Sequence, residues 1–173
     1  GFDMGDAEKF LSRFGIFGLP RLGVVYESET GSVSVFAGTE DADFDCSDHW
    51  LAQKPMVSWE ESLGKCTLLM IAPDAPERVG DGSEAGAEGP RLHWLVTGAV
   101  ESCERGQELV PYEGPAPVKG CQRYMFVLFR HTQAETGAQV RSLERARWDF
   151  KQFLKDNPTL DPISANFFHC AAE

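Results

Sequence analysis

The stretch CTLLMIAPDAPERVGDGSEAGAEGPRLHWLVTGAV, Cys66–Val100, sets two apolar runs around a loop of prolines, glycines and acids. Cys66–Ala72 and Leu92–Val100 are apolar at nearly every position. A strand with one wet face alternates apolar and polar residues, whereas a strand covered on both faces does not. These two runs therefore predict central strands buried between layers, as in a sandwich core. Between them, Gly80–Gly89 has the composition of a mobile surface loop. Ala75–Pro76 is a candidate cis bond at the turn.

Outward from this pair the chain keeps a strand-like character. RLGVVYES and SVSVFAG flank the turn ETGS and predict a hairpin, and PMVSWE and RYMFVLFRH add β-branched and aromatic-rich strands. Near the start, Phe10, Leu11 and Phe14 fall at helical spacing after Asp6, a plausible N-cap, and Gly15, Gly18 and Pro20 end that short helix. Near the end, Leu143, Ala146, Phe150, Phe153 and Leu154 recur at helical intervals after Ser142. Asn157-Pro158 supplies the stop, so one longer helix is expected to cover the sheet. SANFFHC returns as a short closing strand. The expectation is a single mainly β domain over 1–173, with 1–20 as an N-terminal extension.

Composition bounds the function. The 173 residues are 42% hydrophobic and 25% charged, with a formal net charge of −11. That length supports one sizeable core. No apolar run approaches the roughly 20 residues that span a bilayer, and the acidic surface speaks against direct nucleic-acid binding, which depends on neutralising phosphates. The 5 cysteines are odd in number and widely spaced, which suggests reduced thiols in a reducing compartment. A cytoplasmic location is expected, with a mitochondrial one as the alternative. The chain opens without Met, consistent with a processed or partly observed product, and nothing in it reads as a targeting segment.

Motifs for metal and nucleotide chemistry fall short. Asp41, Asp43 and Asp45 alternate as in the opening of a calcium loop, but Cys46 stands at the sixth position and Ala52 at the twelfth, where Gly and a bidentate Glu are required, so a solvated acidic loop is expected. Cys46 and His49 have a zinc-like spacing with no second pair to complete four ligands. Gly80 and Gly82 lack the following Lys-Ser/Thr of a phosphate loop. No serine elbow or paired-histidine metal helix occurs, so the chain is expected to be neither an enzyme nor a cofactor or metal binder.

Three strand ends remain: APDAP after Ile71, HW opening the next strand, and YEGPAPVKGCQRY before the last long strand. Pro73, Pro76, Pro115 and Pro117 stiffen the loops and could preform a cleft holding Asp74, Gly114 and Tyr124. Each residue also has a plainer reading. His93 and Tyr124 sit on apolar strands and could be satisfied core groups, and Asp74 could cap a turn through its own side chain. Arg123, adjacent to Tyr124 and so facing the other way along the strand, is expected to be structural, pairing with a buried carboxylate.

In order and spacing, APDAP, GPRLHWLV and YEGPAPVKGCQRYMFVL resemble the phosphatidylethanolamine-binding protein family, which includes Raf kinase inhibitory protein and the plant flowering-time regulators. The likeness covers most of the chain, with PMVSWE upstream and a helix then ANFF downstream. It implies a two-sheet β-sandwich with a C-terminal helix and a short N-terminal helix. It also implies a small cleft for phosphate-bearing anions, including phospholipid headgroups, in a lipid- or anion-binding signalling regulator. By resemblance Asp74, His93, Gly114, Pro115 and Tyr124 keep the identity of cleft residues. Gln122 stands where the family has His, and Ala72 where it has a first Asp.

Those two departures bear on affinity. Gln122 can donate a neutral N–H but adds no charge, and a charge-assisted hydrogen bond is worth roughly 1.5–3 kcal/mol. Ala72 removes a negative charge and so offsets part of the loss. The expected ligand set is Asp74, His93, Gly114, Pro115, Gln122 and Tyr124, with His93 donating when protonated, and the expected partners are a phosphorylated small molecule or lipid headgroup and a protein that the binding module modulates. The alternative is a scaffold with a vestigial cleft in a large assembly such as a mitochondrial ribosome, docking through Phe14, Ile16 and Phe17.

Overall fold

A computed structural model describes residues 6–39, 42–116, 120–133 and 137–172. Asp41 and Pro117, weighed above, lie outside the described residues. In chain order the elements are α1 (Asp6–Ser12), β1 (Gly23–Ser28), β2 (Gly31–Ser34), β3 (Asp43–Asp45), β4 (Met56–Ser58), β5 (Lys65–Ala72), β6 (Arg91–Val100), β7 (Gln107–Val110), β8 (Gly120–His131), α2 (Phe150–Asp156) and β9 (Leu160–Ala172). β2-β1-β4 form a small sheet and β3-β9-β8-β5-β6-β7 a large one, antiparallel except for the β3–β9 pair.

The large sheet is covered on both faces, which is why its central strands do not alternate in polarity. On β5, Leu68 and Met70 face the small sheet, and Leu69 and Ile71 face the helices. On β8, Tyr124, Phe126 and Leu128 point to the first layer, and Met125, Val127 and Phe129 to the second. The outer layer is aromatic: Phe14 meets Phe150 edge-on with ring centroids 4.9 Å apart, and Phe153 packs on Trp148 at 5.1 Å. Ile16 is buried in it, while Phe17 is 65% exposed.

Four expectations are corrected. The late helix begins at Phe150, with Asp149 capping it through Gln152 N–H at 2.9 Å, and not after Ser142. The preceding backbone bonds elsewhere: Leu92 N donates to Arg145 O, Arg147 N to Glu88 O and Trp148 N to Pro90 O. A segment whose amides and carbonyls are taken by the rim loop and the start of β6 cannot also close helical turns. The closing strand β9 is 13 residues long and pairs along all of β8. The acidic stretch around Phe44 forms an edge strand, with Asp43 and Asp45 exposed and Phe44 packed on Phe168.

The fourth concerns the thiols. Cys46 and Cys170 are joined as a disulfide, their Cα atoms 5.3 Å apart, because the parallel β3–β9 pairing brings together residues 124 apart in sequence. Cys66, Cys103 and Cys121 are outside any disulfide. Burial pushes the Cys66 thiol up to about 11. No described helix is long and apolar enough to cross a membrane, and the described residues hold no cluster of three or more His, Cys, Asp or Glu able to grip a metal ion.

Candidate ligand cleft

A cavity of about 230 Å³ opens at one end of the large sheet. Ala72, Ala75 and Pro76 come from the end of β5 and its turn, Arg91 and His93 from the start of β6, and Gln122 and Tyr124 from the start of β8. Glu88 from the long loop and Glu113 and Ala116 from the strap after β7 complete the wall. Both Ala75–Pro76 and Gly89–Pro90 are cis, the first as expected.

His93 reaches the cavity through a backbone irregularity. Met70 pairs with Trp94 and Ile71 with Leu92, so His93 is the extra residue of a β-bulge on β6. Bulges re-aim a side chain relative to simple alternation. The ring is 3% exposed, meets the edge of Tyr124 at 5.2 Å, and places Nδ1 2.6 Å from the carbonyl oxygen of Glu113. Burial, the largest influence, pushes its pKa down to about 4 against the opposing pull of that carbonyl and of the Glu113 carboxylate. His93 is therefore neutral near pH 7 and not the cationic donor expected above.

Tyr124 stacks on Phe168 at 5.4 Å. Burial raises its pKa well above the usual phenol value. The phenol stays protonated and can donate into the cavity. Gln122 donates from Nε2 to Pro76 O at 2.5 Å, tying β8 to the turn.

Three expected residues sit differently. Asp74 is fully buried and is not part of the cavity wall: its Oδ2 accepts from Arg123 N and Nε, both at 2.9 Å, and its Oδ1 from Arg123 Nη2 at 2.7 Å. This is the pairing anticipated for Arg123 from strand parity. Gly114 and Pro115 lie in the strap between two wall residues without lining the cavity themselves. A Cβ on Gly114 would stand 2.5 Å from Leu51 O, so only glycine allows the strap to lie this close to the 49–52 turn.

The charged part of the wall was not anticipated. Arg91 Nη2 pairs with both Glu113 oxygens at 2.9 and 3.1 Å, and Arg145 Nε with Glu113 Oε2 at 3.0 Å. Arg145 also donates to the carbonyls of His93 at 2.9 Å and Pro111 at 2.8 Å, clamping β6 to the strap. Arg91, two residues before His93, was the one signal available in the sequence. The loop at the rim is more tightly held than its composition suggests. Arg123 Nη2 donates to Gly82 O at 2.7 Å, Gly86 N to Pro73 O at 2.8 Å and Glu88 N to Ala75 O at 2.9 Å.

Comparison with known proteins identifies the family and the fold. The family model described as phosphatidylethanolamine-binding protein matches residues 37–168. CEN-like protein 4 of Nicotiana tabacum is 35% identical over 113 residues, 62% of this chain and 59% of that protein. Protein FLOWERING LOCUS T of Arabidopsis thaliana is 31% identical over 113 residues, 62% of this chain and 58% of that protein. The match thus spans about three fifths of these relatives' length. The solved structure of carboxypeptidase Y inhibitor complexed with its cognate proteinase superposes on all of this chain and 98% of that one, with a TM-score of 0.68 and 17% identity, a likeness of fold.

Proposed function

Because the chain belongs to the phosphatidylethanolamine-binding protein family, we propose that it is a non-catalytic binding module whose cleft takes a small phosphate-bearing anion and whose occupancy modulates a protein partner. One observation carries this reading: Arg91, Gln122 and Tyr124, all able to donate hydrogen bonds, converge with His93 on one cavity of about 230 Å³. That volume is below the roughly 300–1,000 Å³ of drug-sized pockets, and it suits a phosphate with a short substituent. Relatives named for flowering support a regulatory role over a metabolic one.

The chemistry of the wall supports binding without turnover. Among the described residues that line the cavity there is no Ser, Thr or Cys, and the Tyr124 phenol is held protonated by burial. Nucleophilic catalysis needs an activated hydroxyl, thiol, amine or carboxylate beside a base. The Glu113 carboxylate, whose charge acts on His93, is already engaged by two arginines.

The test is a titration with inorganic phosphate and with phosphoethanolamine, following the His93 ring and Tyr124 by NMR. Both residues should shift in a saturable way, together with Gln122. An unchanged spectrum at millimolar ligand would refute the anion cleft.

A further inference from the structure

We infer that the cleft selects tetrahedral oxyanions that still carry a proton, taking a phosphomonoester monoanion in preference to sulfate or to a phosphodiester such as an intact lipid headgroup. The inference rests on the anion-binding reading above and narrows it to a ligand class.

The argument begins at His93 Nδ1, 2.6 Å from Glu113 O. A carbonyl oxygen only accepts, so Nδ1 must hold the ring proton. In a neutral ring Nε2 is then a lone pair. His93 lines the cavity, and none of the described side-chain or backbone hydrogen bonds uses Nε2, so the cleft presents an acceptor where the family resemblance alone suggests a cationic donor. The glutamates add to this: Glu88 and Glu113 both line the same cavity.

An entering anion therefore meets two kinds of group. Tyr124, Gln122 and Arg91 can donate to its oxygens. Nε2 can only accept, and an unprotonated oxygen placed there opposes a lone pair. A P–OH resolves the conflict by donating to Nε2 while the remaining oxygens accept. Sulfate and phosphodiesters have no such proton near neutral pH, and a phosphomonoester loses its proton above a second pKa of about 6. An unmatched buried polar contact to an ionised group weakens binding by at least about tenfold.

The charged and titratable groups facing His93 are Arg91 on its own strand, Glu113 on the strap, Arg145 beyond it, Glu88 on the rim and Tyr124 on β8. Their titration is separated from the ligand's by using two ligands. For phosphoethanolamine and for a phosphonate of higher second pKa, affinity for the full chain is measured by NMR or calorimetry from pH 5.5 to 8. Sulfate and glycerophosphoethanolamine are measured at pH 6.

Phosphoethanolamine should bind at least tenfold more tightly than either proton-free anion at pH 6. Its affinity should fall above its own second pKa, and for the phosphonate the fall should move upward with that ligand's pKa. In His93→Leu the preference for the protonated form should disappear. Sulfate or the diester binding within threefold of phosphoethanolamine, or a fall at the same pH for both ligands, would overturn the selectivity and leave the anion cleft standing. No shift of Tyr124 with any of the four would overturn both. The ligand series on the unmodified chain decides the matter even if His93→Leu does not fold.

Discussion

Replacing Asp74 by Ala should cost the fold roughly 3–5 kcal/mol, the usual effect of breaking one half of a buried ion pair. The magnitude follows from what Arg123 would lose. Its Nε and Nη2 donate to Asp74 at 2.9 and 2.7 Å, and its backbone N–H donates to the same carboxylate at 2.9 Å. Both side chains are 0% exposed, so no water replaces the carboxylate without rearrangement. The carbonyl of Gly82 would remain as a partner, which does not neutralise a guanidinium. A domain of this size has roughly 5–15 kcal/mol in total, and each kcal/mol is worth about 2–4 °C. The expected fall in melting temperature is therefore about 6–20 °C, with a matching drop in the urea midpoint followed by tryptophan fluorescence. Removing both charges, as Asp74→Leu with Arg123→Met, should recover most of the loss, because an apolar pair of similar volume is often as stable as a buried ion pair. A loss below 1 kcal/mol for Asp74→Ala, accompanied by loss of phosphate binding, would refute this account and return Asp74 to the cleft wall.

Further perturbations probe other parts of the same structure. His93, with an ordinary value of 6.5 and a folded value of about 4, takes up its proton more readily unfolded than folded. Its contribution is thus fully present above pH 6.5 and is lost as pH falls toward 4, amounting to roughly 3 kcal/mol; chemical denaturation across that window should show the slope, and His93→Leu should flatten it. Reducing the Cys46–Cys170 bond, which closes a loop with a sequence separation of 124, should lower stability by up to about 5 kcal/mol in the chain-entropy account. An unchanged urea midpoint in reductant would mean that the bond does not stabilise the fold. Gly114→Ala puts a methyl against the Leu51 carbonyl and should cost roughly 1–3 kcal/mol by overpacking, with weaker phosphate binding because the strap carries Glu113 and Ala116. A variant as stable and as tight-binding as the parent would show that the strap is not held by that contact.

The sandwich was legible because coverage on both faces leaves an unmistakable mark on β5 and β6, and the strand parity of Arg123 and Tyr124 correctly placed them on opposite sides. Three other features depend on partners far away in sequence. The segment before Phe150 has helical spacing, but its backbone bonds to residues 88–92, a tertiary choice that overrides local pattern. The disulfide depends on a parallel pairing of a three-residue edge strand, which periodicity cannot foresee. His93 reaches the cavity by a bulge, and a bulge shifts the alternation from which facing is read. The family-like residues were therefore easier to find than their roles: His93 and Tyr124 meet across the cleft, Gln122 braces the turn, and Asp74 lies behind it.

In the proposed cleft, the arginines give a reason why matching of hydrogen bonds, and not charge, would govern selection. The chain has 16 Lys and Arg against 27 Asp and Glu, so its overall field repels anions at a distance. Near the cleft, Arg123 is committed to Asp74 and the Gly82 carbonyl, and Arg145 to Glu113 and the carbonyls of His93 and Pro111. Arg91 faces Glu113 as well. Each cation fixes a loop and is offset by a carboxylate or shared among carbonyls. A ligand therefore meets a small net charge and a set of directional groups: the Tyr124 hydroxyl, the Gln122 amide, the remaining Arg91 donors and the His93 lone pair. Such a wall gains modestly from each matched hydrogen bond and loses more from each unmatched one, because an unsatisfied buried group bears its full desolvation penalty. Its specificity comes from rejection. A proton on the ligand, the smallest possible difference between two oxyanions, is the kind of feature such a wall can distinguish.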